Sequence, residues 1–379
     1  MNNRKKGAIL VWVMVTMMIL SSAITVGMAI LLDTVNTLNS QMEYYGQATS
    51  IAKAGLLDAL SWFRRQTNQP ILTFNPQRDL TVLPPVNDTD DASIGIVREL
   101  EVAQSRNLYG RYEVDKTIVA DISSQRGLSA GTIWYIESRG IIYLKLDPNV
   151  AYNVAPNRVI ASTKIATEIR RVSMVLPSEA ALCSGNSNQS QTVIGNNVKL
   201  LGDEKFGIVY PSGTGTPNIN AGATVTGTLG ATSQINPYND SATSVFGMTE
   251  AELRSIADYN VSSVDALPDP IPNYKIVFFE GNATFNSSHP LKGTGIFYIT
   301  GTLTIAANSG TSYNGVIYCK GQYHQHGPSL ISGSVITQGQ VNIQSTGDVS
   351  EIDYDAGVLG QIRTYTGQYR LAKGIYEVN

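Results

Sequence analysis

Hydrophobic and polar positions change their pattern several times along this chain. From residue 8 to residue 32 no charged side chain occurs. As a helix that run reaches about 37 Å, enough for a bilayer core of about 30 Å. Leu38, Met42, Tyr45, Thr49, Ala52, Leu56, Leu60 and Phe63 then recur at intervals of three and four. This spacing predicts that the helix continues to about residue 65 with an amphipathic second half. Residues 66–91 carry Pro70, Pro76, Pro84 and Pro85 and then the run Asn87-Asp88-Thr89-Asp90-Asp91, which reads as loop. Strand-like runs follow at 109–120, 132–146 and 158–176. In the last, Lys164, Glu168 and Arg170 fall on one face and Ile165 and Ile169 on the other. That period of two suits an antiparallel sheet with one wet face, packed on the amphipathic half of the helix. Residues 183–191 are small, polar and poor in apolar side chains, and read as a linker.

The C-terminal half contains a repeat. Gly295-Ile-Phe-Tyr-Ile-Thr-Gly301, Gly315-Val-Ile-Tyr-Cys-Lys-Gly321 and Gly333-Ser-Val-Ile-Thr-Gln-Gly339 begin 20 and then 18 residues apart. Gly207-Ile-Val-Tyr-Pro-Ser-Gly213 is another copy, and Lys275-Ile-Val-Phe-Phe-Glu-Gly281 is one that lacks the first glycine. Short alternating strands follow, such as Thr302-Leu303-Thr304-Ile305. Two short strands per unit with glycines at the corners predict a right-handed β-solenoid-like stack; a Gly-rich sandwich is the alternative. Residues 237–272 interrupt the repeat. There Thr249-Glu250-Ala251-Glu252 predicts a capping box and a short helix to about residue 259. The predicted fold class is therefore α+β and then all-β, divided as 1–7 leader, 8–65 helix, 66–182 antiparallel sheet, 183–191 linker and 192–379 stacked strands.

Charge orients the first element. Arg4, Lys5 and Lys6 precede the apolar run and Asp33 follows it. The positive-inside rule then predicts a single pass through the cytoplasmic membrane, with the C-terminal part outside. A removable signal peptide cut near Ser21-Ser22-Ala23 is the competing reading, and the apolar continuation to Leu32 weighs against it.

Lys6-Gly7 followed by Ala8-Ile9-Leu10-Val11 resembles the N-terminus of type IV pilin-like proteins. The resemblance covers about the first 65 residues and implies cleavage between Gly7 and Ala8 by a prepilin peptidase, with methylation of the new amino terminus. Trp12 stands at the fifth mature position, where major pilins carry glutamate. That departure, with Ile51-Ala52-Lys53-Ala54-Gly55-Leu56, resembles PilX-type minor pilins and K-type pseudopilins, which are associated with the filament tip. Lys53 stands where that family usually has an acid. The implied partners are other pilins or pseudopilins, the prepilin peptidase and the cytoplasmic membrane, with a surface glycan or protein ligand on the displayed domain.

Composition narrows the chemistry. Charged residues make up 15% and net charge is −3, so nucleic-acid binding has no electrostatic footprint. Cys183 and Cys319 are either a pair or two free thiols. The acids at 87–91 lack the glycine and distal glutamate of a calcium loop, so a solvated acidic turn is expected. His324 and His326 share a strand face, with His289 as a distant third, but no acid or cysteine supports a metal site. Tyr112, Trp134, Tyr135 and Tyr143 are expected to pack rather than cage a ligand. Glu280, Lys320, Asp348, Glu351, Asp353 and Asp355 fall at differing phases of the repeat, and no catalytic triad, P-loop or dinucleotide motif occurs. The expectation is a non-enzymatic, cofactor-free minor pilin-like subunit of a pilus or secretion filament, located in the membrane or on a surface pilus. A membrane-anchored glycan-binding or glycan-active protein is the alternative.

Overall fold

A computed structural model describes residues 3–103 and 107–378. For residues 3–13, 15, 16, 19, 23, 27 and 29–40 the description is confined to the backbone. Helix α1 spans Asn3–Arg65 without interruption, as a segment free of proline can. The expected membrane crossing is corrected: among the described residues no helix is long and apolar enough to cross a membrane. Ser21 Oγ donates to the carbonyl of Met18 (3.1 Å), and Thr25 Oγ1 to that of Ser21 (2.8 Å). The single-pass membrane location predicted from the same run falls with it.

The second half of α1 lies on an antiparallel sheet. Along that sheet the order is Tyr369–Leu371, Arg158–Arg171, Ile133–Leu144, Leu108–Asp115 and Gly95–Ala103. Ala120–Asp121 pairs with Ile133–Leu144, and Tyr376–Glu377 with Arg158–Arg171. The expectation of a small sheet drawn from residues 66–182 is thus corrected. Among the described residues the sheet has seven strands, and two of them come from the far end of the sequence. Ala48, Ala52, Leu56, Ala59 and Phe63 of the helix are buried against Ile96, Ile136, Ile142, Ile165 and Ile169.

Apart from the short antiparallel pair Arg78–Asp79 and Val86–Asn87, the remaining strands among the described residues pair in parallel, and the molecule is predominantly β. From Ile271 onward the chain alternates between two parallel sheets. Ile271–Phe279, Lys292–Ile299, Thr311–Cys319, Ser329–Thr337 and Ser350–Asp353 are neighbours in the larger. Ala283–Phe285, Leu303–Ile305, Tyr323–His326 and Val341–Gln344 are neighbours in the smaller. Lys275, Gly295, Gly315 and Gly333 stand side by side across this stack. The glycines are obligatory: Gly295, Gly315 and Gly333 have φ of 152°, 144° and 135°. A Cβ on each would lie 2.0–2.1 Å from the carbonyl oxygen of the preceding rung.

The order of stacking is not the order of sequence. Val198–Leu201 pairs with Ser350–Asp353, Thr192–Ile194 with Val341–Gln344, and Ala180–Ser184 with Ser329–Thr337. Rungs early in the chain therefore stack on the last ones. Residues 237–258 connect the two ends by running across the outer face of the large sheet. Along this strap Tyr318 Oη donates to the carbonyl of Asp240 (2.6 Å), Tyr298 Oη to Glu250 (2.9 Å), and Ile276 N to Asp258 (2.9 Å). Helix α2 (Ala242–Phe246) sets Phe246 edge-on to Tyr298 and Tyr318, which stack on each other at 4.7 Å. Helix α3 (Glu250–Ile256) begins with the Thr249–Glu252 capping box. With a strap outside and a core inside, these strands are buried on both faces, which explains their continuous apolar runs.

The sequential arrangement of α+β and then all-β is corrected too. After the last rung, α4 (Ala356–Tyr365) leads the chain back to the antiparallel sheet. The strap also touches the segment that leaves that sheet after Arg171: Ser173 N donates to the carbonyl of Phe246 and Val175 N to that of Val245.

Candidate functional site

The feature of α1 that calls for a partner is its first half. Its base is held rigidly. Gly140 brings the strand Ile133–Leu144 so close to the helix that a Cβ would sit 2.0 Å from the carbonyl oxygen of Ala48 and 2.6 Å from the nitrogen of Ala52. Small residues on both elements permit this approach. Farther along, Trp62, Phe63, Phe74, Trp134 and Tyr369 form an aromatic cluster with centroids 4.9–5.7 Å apart. Tyr369 Oη accepts from Ile71 N (2.9 Å) and donates to the carbonyl of Gly131 (2.6 Å), which pins the returning tail beneath the helix.

N-terminal to this clamp the side chains lose their cover. Met14, Met17, Met18, Leu20, Ile24, Val26 and Met28 are all exposed, with Met17 and Met18 each at 70%. Isolated exposed apolar residues are ordinary, but a contiguous set on one projecting helix marks a contact surface. These seven side chains carry no acid–base group. What the surface can do is pack against other apolar helices. Met42 and Tyr45, expected on the packed face, are exposed as well; burial starts at Ala48.

The residues expected to direct processing and orientation, Arg4, Lys5, Lys6, Gly7 and Ala8, lie in the opening turns of α1. Their side chains, and that of Trp12, lie outside the described residues.

Other nominated residues have structural partners. Asp88 accepts from Trp62 Nε1 (3.1 Å) and from Gln77 N (3.1 Å), and Asp90 pairs with Arg98 (3.0 Å). Tyr112 Oη donates to Asp58 (2.9 Å), and Trp134 and Tyr143 are buried. Cys183 and Cys319 are both buried and unpaired, and burial pushes each thiol up to about 12. His324 and His326 occupy the strand Tyr323–His326, whereas His289 pairs with Asp265 at 3.3 Å. Among the described residues no group of three His, Cys, Asp or Glu side chains is disposed to hold a metal ion.

Glu280 pairs with Arg254 (2.8 Å) and Lys320 with Glu250 (2.9 Å). Glu351, Asp353 and Asp355 do come together, joined by Asp203, so that burial and these three neighbours raise the Asp353 carboxyl to about 6. Asp355 caps α4 through Val358 N (2.9 Å), and Glu351 reaches Lys199 at 3.8 Å.

No family model and no curated protein matches the chain. Among solved structures, the crystal structure of the competence-associated pilin ComZ from Thermus thermophilus is similar over 88% of this chain and 96% of that one. Identity is 10% and the TM-score 0.24. A score at that level does not establish a shared fold.

Proposed function

We propose that this protein is a minor, pilin-like structural subunit of a type IV pilus or related secretion filament, without enzymatic activity. The observation that carries the reading is the uncovered apolar half of α1, held out from a clamped base. Inserted among equivalent helices of other subunits, Met14, Met17, Met18, Leu20, Ile24, Val26 and Met28 would leave water, at about 1.5–3 kcal/mol per fully buried side chain. The Lys6-Gly7-Ala8 sequence supports cleavage before Ala8 as the step that frees this helix for assembly. Trp12 in place of an acid supports a position at one filament end.

The test compares two apolar positions on the same helix. Met18 is in the uncovered half, and Leu57, also exposed, is in the clamped half. Sheared filaments from cells making Met18→Asp are expected to lack the protein, while Leu57→Asp incorporates as wild type does. Edman sequencing of the incorporated chain is expected to begin at Ala8. Equal incorporation of the two variants, or absence of the wild-type chain from filaments, would defeat the proposal.

A further inference from the structure

Where the end of α1, the strand Arg158–Arg171, the end of α4 and the returning tail meet, a cavity of about 250 Å³ is lined by Arg64, Gln69, Arg171, Arg363, Gln368 and Tyr369, among others. Its lining contains three arginines and no carboxylate. Among the described residues none of the three arginines forms an ion pair. Nearby carboxylates are engaged by other cations: Asp258 holds Arg370 at 2.7 Å, and Glu179, which feels Arg363, is held by Lys205 at 2.6 Å.

The guanidinium groups are also positioned. Arg64 donates through Nε to the carbonyl of Tyr369 (2.7 Å), and Arg363 through Nε to the carbonyl of Met174 (3.1 Å). A bond at Nε fixes the plane of the group. It leaves the two terminal nitrogens, which are the half of the fork that grips a tetrahedral or planar anion. Among the described residues those terminal nitrogens have no hydrogen-bond partner. The Arg171 side chain has no hydrogen bond there at all.

Arg64 and Arg363 sit in the last turns of their helices, where positive charge complements the helix dipole. That accounts for the residue type but not for the aim. The closing carbonyls of α1 are taken by amides: Gln66 bonds Trp62 O and Gln69 bonds Phe63 O. The end of α4 is closed by Thr366 N on Ile362 O. Both arginines instead reach carbonyls on neighbouring elements and bring their heads to one cavity. Burial and the charge of Arg370 hold the Arg64 guanidinium below its usual range. That repulsion is what a bound anion would relieve.

The geometry points to an oxyanion site in this cavity: Arg64, Arg171 and Arg363 together bind a dianionic phosphate or sulfate group. Three cations without a carboxylate favour a doubly charged group over a single carboxylate. The site stands apart from the helix surface invoked for assembly, and neither depends on the other.

The test is calorimetric titration of the full chain with inorganic phosphate and, separately, inorganic sulfate, at constant ionic strength set with chloride. Saturable binding of one anion per chain is expected. Arg171→Gln should weaken it at least tenfold, Arg171→Lys less, and Arg158→Gln, at the opposite end of the same strand, not at all. Circular dichroism of each variant separates lost binding from lost fold, and Arg64→Gln supplies a second reading should Arg171→Gln unfold. A further arm compares glucose 6-phosphate with inorganic phosphate: tighter binding of the ester identifies the group as part of a larger ligand, and equal binding identifies the free ion. Absence of saturable binding by every anion, or equal affinity in Arg171→Gln, Arg64→Gln and wild type, overturns the assignment.

Discussion

The carboxyl of Asp353 stands among three others, and its Oδ1 has no hydrogen-bond partner among the described residues. Burial first, then Asp203, Glu351 and Asp355, raise it to about 6. An unfolded aspartate titrates near 3.9. Between these values the folded chain binds more protons than the unfolded one, so stability falls as pH rises through the window and stays at the lower level above it. Asp353→Asn removes the charge. Its melting temperature is expected to exceed wild type's at pH 7.5, with the difference vanishing by about pH 4. A difference independent of pH would place the effect outside this titration. The residue types in this cluster were legible in the sequence, but their convergence was not. Asp203 belongs to an early rung and Asp353 to the last, and only stacking of the one on the other joins them. The arginine cavity was hidden for a similar reason. Arg64, Arg171 and Arg363 come from three distant elements, and nothing in local periodicity connects them.

At the scale of elements, the contact between α1 and its sheet depends on an absence of side chain. A Cβ at Gly140 meets backbone atoms of the helix, which cannot rotate away. Gly140→Val must therefore push the helix off the sheet, at roughly 1–3 kcal/mol or more. Urea denaturation should show a lower midpoint, and an unchanged midpoint would mean that the helix does not sit this close. The periodicity of large apolar residues predicted the helix but placed its packed face too early, at Met42 and Tyr45. The true contact is made by Ala48, Ala52 and Gly55, whose small size is the signal and which a hydrophobic count undervalues. The glycine repeat was more informative. Gly295, Gly315 and Gly333 stand in register because each rung needs the same backbone conformation at the same corner. Tyr369–Leu371 is too short to register as a strand from its own composition. The membrane crossing expected of the charge-free run at 8–32 was not met, since among the described residues no helix is long and apolar enough to cross.

Across the whole molecule, the antiparallel and parallel parts are joined chiefly by polar contacts. Arg126 bridges Glu168 of the antiparallel sheet and Glu252 of the strap, and the Glu252 side chain is only 6% exposed. Arg170 donates to Ser255 Oγ at 2.6 Å. Removing Arg126 leaves a buried carboxylate without its cation, which costs about 2–4 kcal/mol. Arg126→Ala should lower the thermal transition or split it in two. Adding Glu252→Gln should recover part of the loss, because the unpaired charge is gone. A double variant no more stable than the single would indicate that Arg126 acts through packing instead. The join was illegible in sequence, because its partners lie on elements whose proximity follows only from the strap.

The strap and the inverted stacking also govern the order in which this protein can be completed on the ribosome. Val198–Leu201 emerges long before Ser350–Asp353, the strand it pairs with. Until then one edge of the early rungs is open to whatever the nascent chain encounters, and open parallel edges favour misassembly. The antiparallel sheet waits longer still, because Tyr369–Leu371 and Tyr376–Glu377 are translated after every rung of the stack. Helix α1, made before the sheets, is thus given its finished seat only after the whole stack has been translated. Its exposed apolar half must therefore wait, uncovered, until the body that carries it is closed.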